Sequence, residues 1–463
     1  MTPFLAWHLP GLELAPGEAL AETPAGAVFA PRLSARDVAR AAELAIAAGS
    51  AMQALPAGDV IATIDRVARR FLDRADPLRQ EALAWLPHVT GYSGPMCELV
   101  LNRMAADWTR PALLGLLRAE FRDPRVLERF VPHVPGQYVR AFPPRLAFHV
   151  LSGNVPGVGV TSLVRGLLVR APALCKTARD EPVLPVLFAR ALAEHEPRLS
   201  QALQVAYWPG GDEGLEAPAL TAADVVVHYG AGSAIADLRA RLPAGARLLE
   251  HGPRVSFAVV ARQHAHRTGE AAAAARAVAT FDQQGCVSPH VLYVEQGGRA
   301  EPRQFAALVA RQLELLAPEL PRGRRSTAEA ASVQQARAGV EFRAIAGHEA
   351  ALWTGADLAW TVAYDPDPSF TASCLGRFLW VKPVPDLADV SDLIRPFRDV
   401  LQTAAISAPP RRAAALAETL AHAGCTRITT LADMPFPPAT WHHDGRGPLR
   451  ELVRWASWEH APR

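Results

Sequence analysis

The patterning of this chain predicts a bilobal α/β protein, and three observations carry that prediction. Between Arg145 and Val260, apolar runs of strand length alternate with helical stretches, the rhythm of a parallel sheet with helical crossovers. An alanine-rich helical pattern from about 269 to 281 then leads into a second apolar run, His290 to Val294, which opens another α/β region. The length, 463 residues, suits two to three domains with ample core.

Taken in order, residues 1 to 30 are rich in proline, glycine and alanine and are expected to form an extended lead. Ile61, Ile64, Val67, Ala68 and Phe71 mark one apolar face of a helix. The first α/β unit is expected to close at 262, a second to span 263–440, and a C-terminal segment to occupy 441–463. Pro321 to Ser326, with three arginines, reads as a mobile surface loop. No internal repeat is visible.

Composition excludes several classes of function. A net charge of +2 gives no general attraction to nucleic acid or to an anionic membrane. No apolar run approaches the ~18 residues of a membrane span, so no integral membrane association is expected. The start, Met1-Thr2-Pro3-Phe4, has no basic region ahead of an apolar one, so no signal peptide is expected. Cys97, Cys175, Cys286, Cys374 and Cys425 lack metal or redox spacing, which points to a reducing, cytoplasmic location. His442-His443-Asp444 invites a metal assignment, but consecutive histidines rarely converge on one ion and no further ligand cluster is visible; no metal is expected.

The candidate chemistry lies at element boundaries. In Asp282-Gln283-Gln284-Gly285-Cys286-Val287-Ser288-Pro289 a thiol follows a glycine between a helix and a strand, where a side chain can face a cleft. A thiolate is well suited to hold an acyl group; the competing reading is a small buried hydrophobe. Upstream, Leu146, Phe148 and Val150 alternate before Gly153-Asn154-Val155-Pro156-Gly157 breaks the pattern. Asn154 therefore stands at the carboxyl end of a strand, where open α/β sheets bind ligands, with an amide able to donate to an oxyanion. Of the 48 basic residues only Lys176 and Lys382 are lysines. A compact ammonium at the end of a short apolar strand suits ribose hydroxyls better than a planar guanidinium would. Val225 to Tyr229 reads as a buried strand, followed by Gly230, Gly232 and Ser233 at a helix start that can face phosphate. Glu250 lies in what reads as a turn between strands, either as an acid/base group or as an ordinary exposed carboxylate.

In this order the segments resemble the aldehyde dehydrogenase superfamily, and within it the LuxC-type acyl-CoA reductases of the fatty-acid reductase system known from bacterial luminescence. His149 to Gly157 and Asp282 to Pro289 carry the narrower likeness, with Gly424 to Ile428, His443-Asp444-Gly445 and Arg454-Trp455 behind them. The likeness runs from about Ile61 onward. It implies an aldehyde dehydrogenase-like fold, with a cofactor-binding domain followed by a catalytic domain. It implies Cys286 as acyl-accepting nucleophile, Asn154 as oxyanion donor, Lys176 on the adenosine ribose, and Gly230, Gly232 and Ser233 near a pyrophosphate. The expected reaction is reduction of a fatty acyl thioester, on CoA or on a protein, to the aldehyde with NADPH. An acyl-protein synthetase partner and a homo-oligomer belong to the same expectation.

Two departures stand out. Many aldehyde dehydrogenases place an acidic residue three positions after the lysine; here Arg179 stands there, which favours the 2′-phosphate of NADPH. The Glu-x-Phe-Gly segment is represented only by Ser373-Cys374-Leu375-Gly376, without the glutamate that holds the nicotinamide ribose. Two other readings stay open: an oxidising aldehyde dehydrogenase, for which Glu250 speaks, and a redox-silent acyl-transferring or acyl-binding protein, for which the missing glutamate speaks.

Overall fold

The computed structural model describes residues 3–459. Two sheets carry most of the architecture. The first runs in the order Arg247–His251, Val225–Tyr229, Ala147–Val150, Ala173–Thr177, Leu203–Tyr207, Trp7–His8. All neighbours are parallel except the last pair, in which Trp7–His8 caps the edge in antiparallel sense. The four strands from Ala147 to Tyr229 are buried at every position, because helices cover both faces; parallel sheets therefore read as unbroken apolar runs. The chain builds outward from Ala147–Val150 on one side, then crosses back to add Val225–Tyr229 and Arg247–His251 on the other. The direction of winding therefore reverses beside Ala147–Val150, and such a reversal opens a crevice at the strands' carboxyl ends.

The second sheet has seven strands in the order Ala351–Thr354, Thr361–Tyr364, Phe378–Val384, Pro289–Glu295, Val255–Val260, Leu401–Ser407, Arg427–Thr429. Only Ala351–Thr354 is antiparallel to its neighbour. Val255–Val260 pairs with Pro289–Glu295 and Leu401–Ser407, so the boundary expected at 262 is corrected to the turn at Gly252–Arg254. A third sheet joins Val131–Val134, Gln137–Phe142 and Arg454–Glu459, tying the C-terminal segment back to the first half of the chain.

The expected extended lead is instead structured: Pro16–Thr23 and Gly26–Pro31 form a hairpin, with Phe4–Leu5 beside it. The helix Ala35–Gln53 starts at a reciprocal Ser34–Asp37 capping box. In the helix Ala57–Leu72 the predicted face, Ile61 to Phe71, is buried. No single helix among the described residues is long and apolar enough to cross a membrane. The loop Pro321 to Ser326 is also corrected: Gly323 N–H donates to Asp282 and Arg324 N–H to Gly91 O, which pins the loop to the core. A Cβ on Gly323 would lie 2.2 Å from Gly91 O, so only glycine permits that approach.

Candidate active site

The carboxyl ends of both sheets open onto one cavity of about 1280 Å³. Cys286 lines it, as do Asn154, Gly230, His251, Phe436 and His443. Cys286 and Cys374 are partly accessible, but only Cys286 is on the cavity wall; Cys97, Cys175 and Cys425 are buried, and Cys425, which also follows a glycine, lies in the core.

The segment that presents Cys286 departs from the helix predicted up to Phe281. The helix Thr268–Ala279 stops, and Phe281, Asp282 and Gln283 take φ of 56°, 47° and 67°. Left-handed backbone is uncommon for residues other than glycine, and three in succession need external support. That support is buried and specific. Asp282 accepts from Arg377 Nε at 2.8 Å and from Gly323 N at 3.1 Å. The Gln283 side chain donates to Pro289 O and Phe378 O, each at 2.8 Å, and accepts from Phe378 N at 2.7 Å. Tyr92 Oη donates to Phe281 O at 3.0 Å and lies 2.5 Å from Asn154 O, bracing the cysteine loop and the asparagine turn together. Sequence reasoning quoted Asp282 and Gln283 only as flanking residues, because their function depends on Arg377 and Phe378, about 95 residues away.

Asn154 donates from Nδ2 to Gln284 O at 2.9 Å and accepts at Oδ1 from Ser152 Oγ at 2.8 Å. Its orientation is thereby fixed, with the second amide hydrogen left for a ligand in the cavity. Glu250 behaves differently from expectation. It belongs to the strand Arg247–His251, not to a turn, pairs with Arg239, and is not part of the cavity wall. Its neighbour His251 faces the cavity instead, because alternate strand residues point to opposite sides. The structure thus does not bring Glu250 together with Cys286 and Asn154 on that wall.

On the first sheet Lys176, the penultimate residue of the strand Ala173–Thr177, is aligned with Val150, is 7 % exposed and, like Glu250, is not part of the cavity wall. Burial lowers the pKa of its ammonium. Gly210 lies beside it, with room for a Cβ at ordinary van der Waals distance, 3.9 Å, from Lys176 Nζ. Gly230 lines the cavity, and Gly232 and Ser233 are exposed in the first turn of the helix Gly232–Arg241, which has no side-chain cap. Its first N–H groups are thus available to an anion. Arg179 is exposed and pairs with Glu18 at 3.3 Å, while Asp180 lines the cavity. Ser373 and Leu375 line the opposite wall, in the region expected to take the nicotinamide ribose.

A cluster that sequence reasoning had set aside completes the wall. His443 Nε2 lies 4.0 Å from Cys286 Sγ, and the His443 ring stacks on His251 at 4.3 Å between centroids. His251 Nδ1 is 2.7 Å from Asp444 Oδ2; Arg254 Nε and Gln402 Nε2 reach Asp444 Oδ1 at 2.8 and 3.0 Å. Burial would raise the Asp444 carboxyl, but the His251 hydrogen bond, the two neighbouring imidazoles and Arg254 hold it down at about 2. An ionised carboxylate only accepts, so His251 Nδ1 is the donor in that bond. Burial, assisted by the Asp444 charge, pushes the Cys286 thiol up to about 12.

The acyl-CoA reductase (LuxC) family model matches residues 52–455. The chain belongs to that family. Among relatives, it is 29 % identical over 402 residues to the long-chain acyl-protein thioester reductase of Aliivibrio fischeri, covering 85 % of this chain and 80 % of that one. It is 27 % identical over 374 residues to the corresponding protein of Photobacterium phosphoreum, covering 80 % and 74 %. In fold it is similar to aldehyde dehydrogenase 21 from Physcomitrella patens, with TM-score 0.77, 13 % identity and 99 % coverage of both chains. The predicted aldehyde dehydrogenase-like α/β fold and the LuxC-type resemblance are both borne out.

Proposed function

We propose that this family member reduces a long-chain fatty acyl thioester, carried by CoA or by a protein, to the aldehyde with NADPH, through an acyl group held on Cys286. The observation that carries the proposal is a thiol braced on the wall of a large cavity beside a fixed amide donor, Asn154. Met104, Val155, Val158, Phe281 and Phe436 give that cavity an apolar lining for an acyl chain. Each methylene buried there contributes about 0.8 kcal/mol.

The first sheet's carboxyl edge suits a dinucleotide: the Lys176 ammonium near the strand's end suits a ribose, and the uncapped helix start at Gly232 suits a pyrophosphate. When bound, the dihydronicotinamide supplies the hydride that reduces the acyl carbon. Asn154 and a backbone N–H near Cys286 hold the oxyanion during acylation and again during reduction. The departure of Glu250 from the cavity wall weakens the oxidising alternative, which needs a carboxylate to activate water. An acyl-protein synthetase as partner, a homo-oligomer and a cytoplasmic setting belong to the same reading. Half-exposed Trp455 and Trp458 on the third sheet offer a surface to a second copy, and five free thiols suit a reducing compartment.

The test is to incubate the protein with labelled tetradecanoyl-CoA, first without nucleotide and then with NADPH. Label should accumulate on Cys286 and then leave as aldehyde with loss of NADPH absorbance. Label that persists on Cys286→Ala protein would overturn the nucleophile, and acylation without any NADPH consumption would establish the redox-silent transferase.

A further inference from the structure

Acylation of Cys286 requires an acceptor for the thiol proton, and neither Asn154 nor a backbone N–H can take it. With the thiol pushed up to about 12, the thiolate fraction at neutral pH is very small, and an unassisted cysteine would acylate slowly. The chain supplies a group in the right place. We infer that His443 is the general base and acid of the acylation step, held in position by the His251–Asp444 pair. This inference rests on Cys286 being the nucleophile.

Four observations support it. His443 Nε2 lies 4.0 Å from Cys286 Sγ, a loose contact of the kind that tightens once substrate is bound. The ring is held by two aromatic neighbours: it stacks on His251 at 4.3 Å and meets Trp441, tilted by 30°, at 4.5 Å. Asp444 is itself immobilised by His251, Arg254 and Gln402, so the turn His443–Gly445 that carries both residues cannot drift. The imidazole is also neutral at rest. Burial, the His251 ring, Arg165 and Arg254 hold it well below its usual value, opposed only by Asp444. His149, Arg446, Glu451 and Tyr229 are the further charged and titratable groups around it.

The same three side chains, His251, His443 and Asp444, would suit a metal by spacing alone. Asp444, however, spends one oxygen on a hydrogen bond from His251 and the other on Gln402 and the Arg254 guanidinium. A second cation there would meet an arginine charge rather than a free ligand atom.

The step balances. The Cys286 S–H proton moves to His443 Nε2 as the sulfur–carbon bond forms and the carbonyl electrons move onto oxygen. When the tetrahedral adduct collapses, the bond to the carrier sulfur breaks, its electron pair leaves with that sulfur, and the imidazolium returns the proton. A thioester and a thiol are exchanged for another thioester and thiol, with no oxidant or reductant. An imidazolium surrounded by Arg165 and Arg254 gives up its proton readily to a thiolate whose conjugate acid has a pKa of about 8.5.

The experiment is rapid-quench acylation by labelled tetradecanoyl-CoA without nucleotide, across pH, for wild type, His443→Gln, His443→Ala and Cys286→Ala. Wild type should acylate at a rate that is flat through neutral pH. His443→Gln should be slower by about 10²–10⁴-fold, the range for a lost general base. Its residual rate should climb with pH, because it must wait for free thiolate. Added imidazole should partly restore His443→Ala. A wild-type rate and profile in His443→Gln would overturn the inference. So would a slower rate that keeps the flat profile in both variants and is not rescued by imidazole, since that pattern belongs to a structural role. Labelling of Cys286→Ala would instead overturn the nucleophile, which keeps the two failures apart.

Discussion

Asn154 and Lys176 lie at the carboxyl ends of adjacent strands, and the proposed function assigns them to different halves of the reaction, so their variants should separate. Asn154→Ala should slow acylation of Cys286 by about 10²–10³-fold, the range for one lost oxyanion donor, in a stopped assay without nucleotide. Lys176→Arg keeps the charge but replaces a compact donor with a wide fork in a site only 7 % exposed. It should weaken NADPH binding in a fluorescence titration while acylation stays near wild type. Loss of both activities together with folding would make Lys176 structural. These residues were legible in the sequence because turn residues follow each strand and mark its carboxyl end, as Gly153 and Pro156 do for Asn154. Glu250 was misread for an equally physical reason. Once the strand extends to His251, alternation sends one of two neighbours to the cavity and the other to Arg239, and composition does not say which. His443 was visible as a motif, but its meaning depends on a cysteine 157 residues earlier.

At the scale of elements, the decisive device is the left-handed run from Phe281 to Gln283. Each such residue costs on the order of 1–3 kcal/mol, so the run persists only because buried partners over-determine it. The Asp282–Arg377 pair is almost wholly buried, with side chains 5 % and 2 % exposed. Removing one partner leaves the other charge unpaired, which costs about 3–5 kcal/mol. Asp282→Asn should therefore lower the midpoint of denaturant unfolding and also reduce acylation, since the loop that aims Cys286 loses its anchor. A stability loss of that size with normal acylation would show that Gln283 and Tyr92 hold the loop unaided. Periodicity predicted a helix through this region because alanine-rich sequence favours one. What stops the helix at Ala279 is a set of contacts from distant strands that no local pattern encodes. The strands were easier to read, since burial on both faces made them continuous apolar runs.

At the scale of the whole molecule, the two lobes were legible but their seam was not: Val255–Val260 follows the first unit in sequence yet pairs inside the second sheet. The N-terminal hairpin also reaches the edge where a cofactor's adenosine end is expected, through the Glu18–Arg179 pair. An exposed ion pair is worth about 0.2–1 kcal/mol, less than the ~1.5–3 kcal/mol of a hydrogen bond to a charged group. A 2′-phosphate should therefore displace Glu18, giving NADPH a preference of about ten-fold or more. Glu18→Ala should increase it further in steady-state assays of both nucleotides. Equal efficiency with NADH would mean that Asp180, on the cavity wall, takes the ribose instead. The distance along the chain between thiol and imidazole has a consequence in time. The ribosome completes Cys286 first and needs about 8 to 30 s more, at about 5–20 residues per second, to reach the histidine 157 positions on. Through that interval the nascent thiol has neither the base nor the finished cavity around it, so a half-made chain meets the cell's acyl thioesters only as an ordinary exposed cysteine, with a pKa of about 8.5, until its final turn has docked.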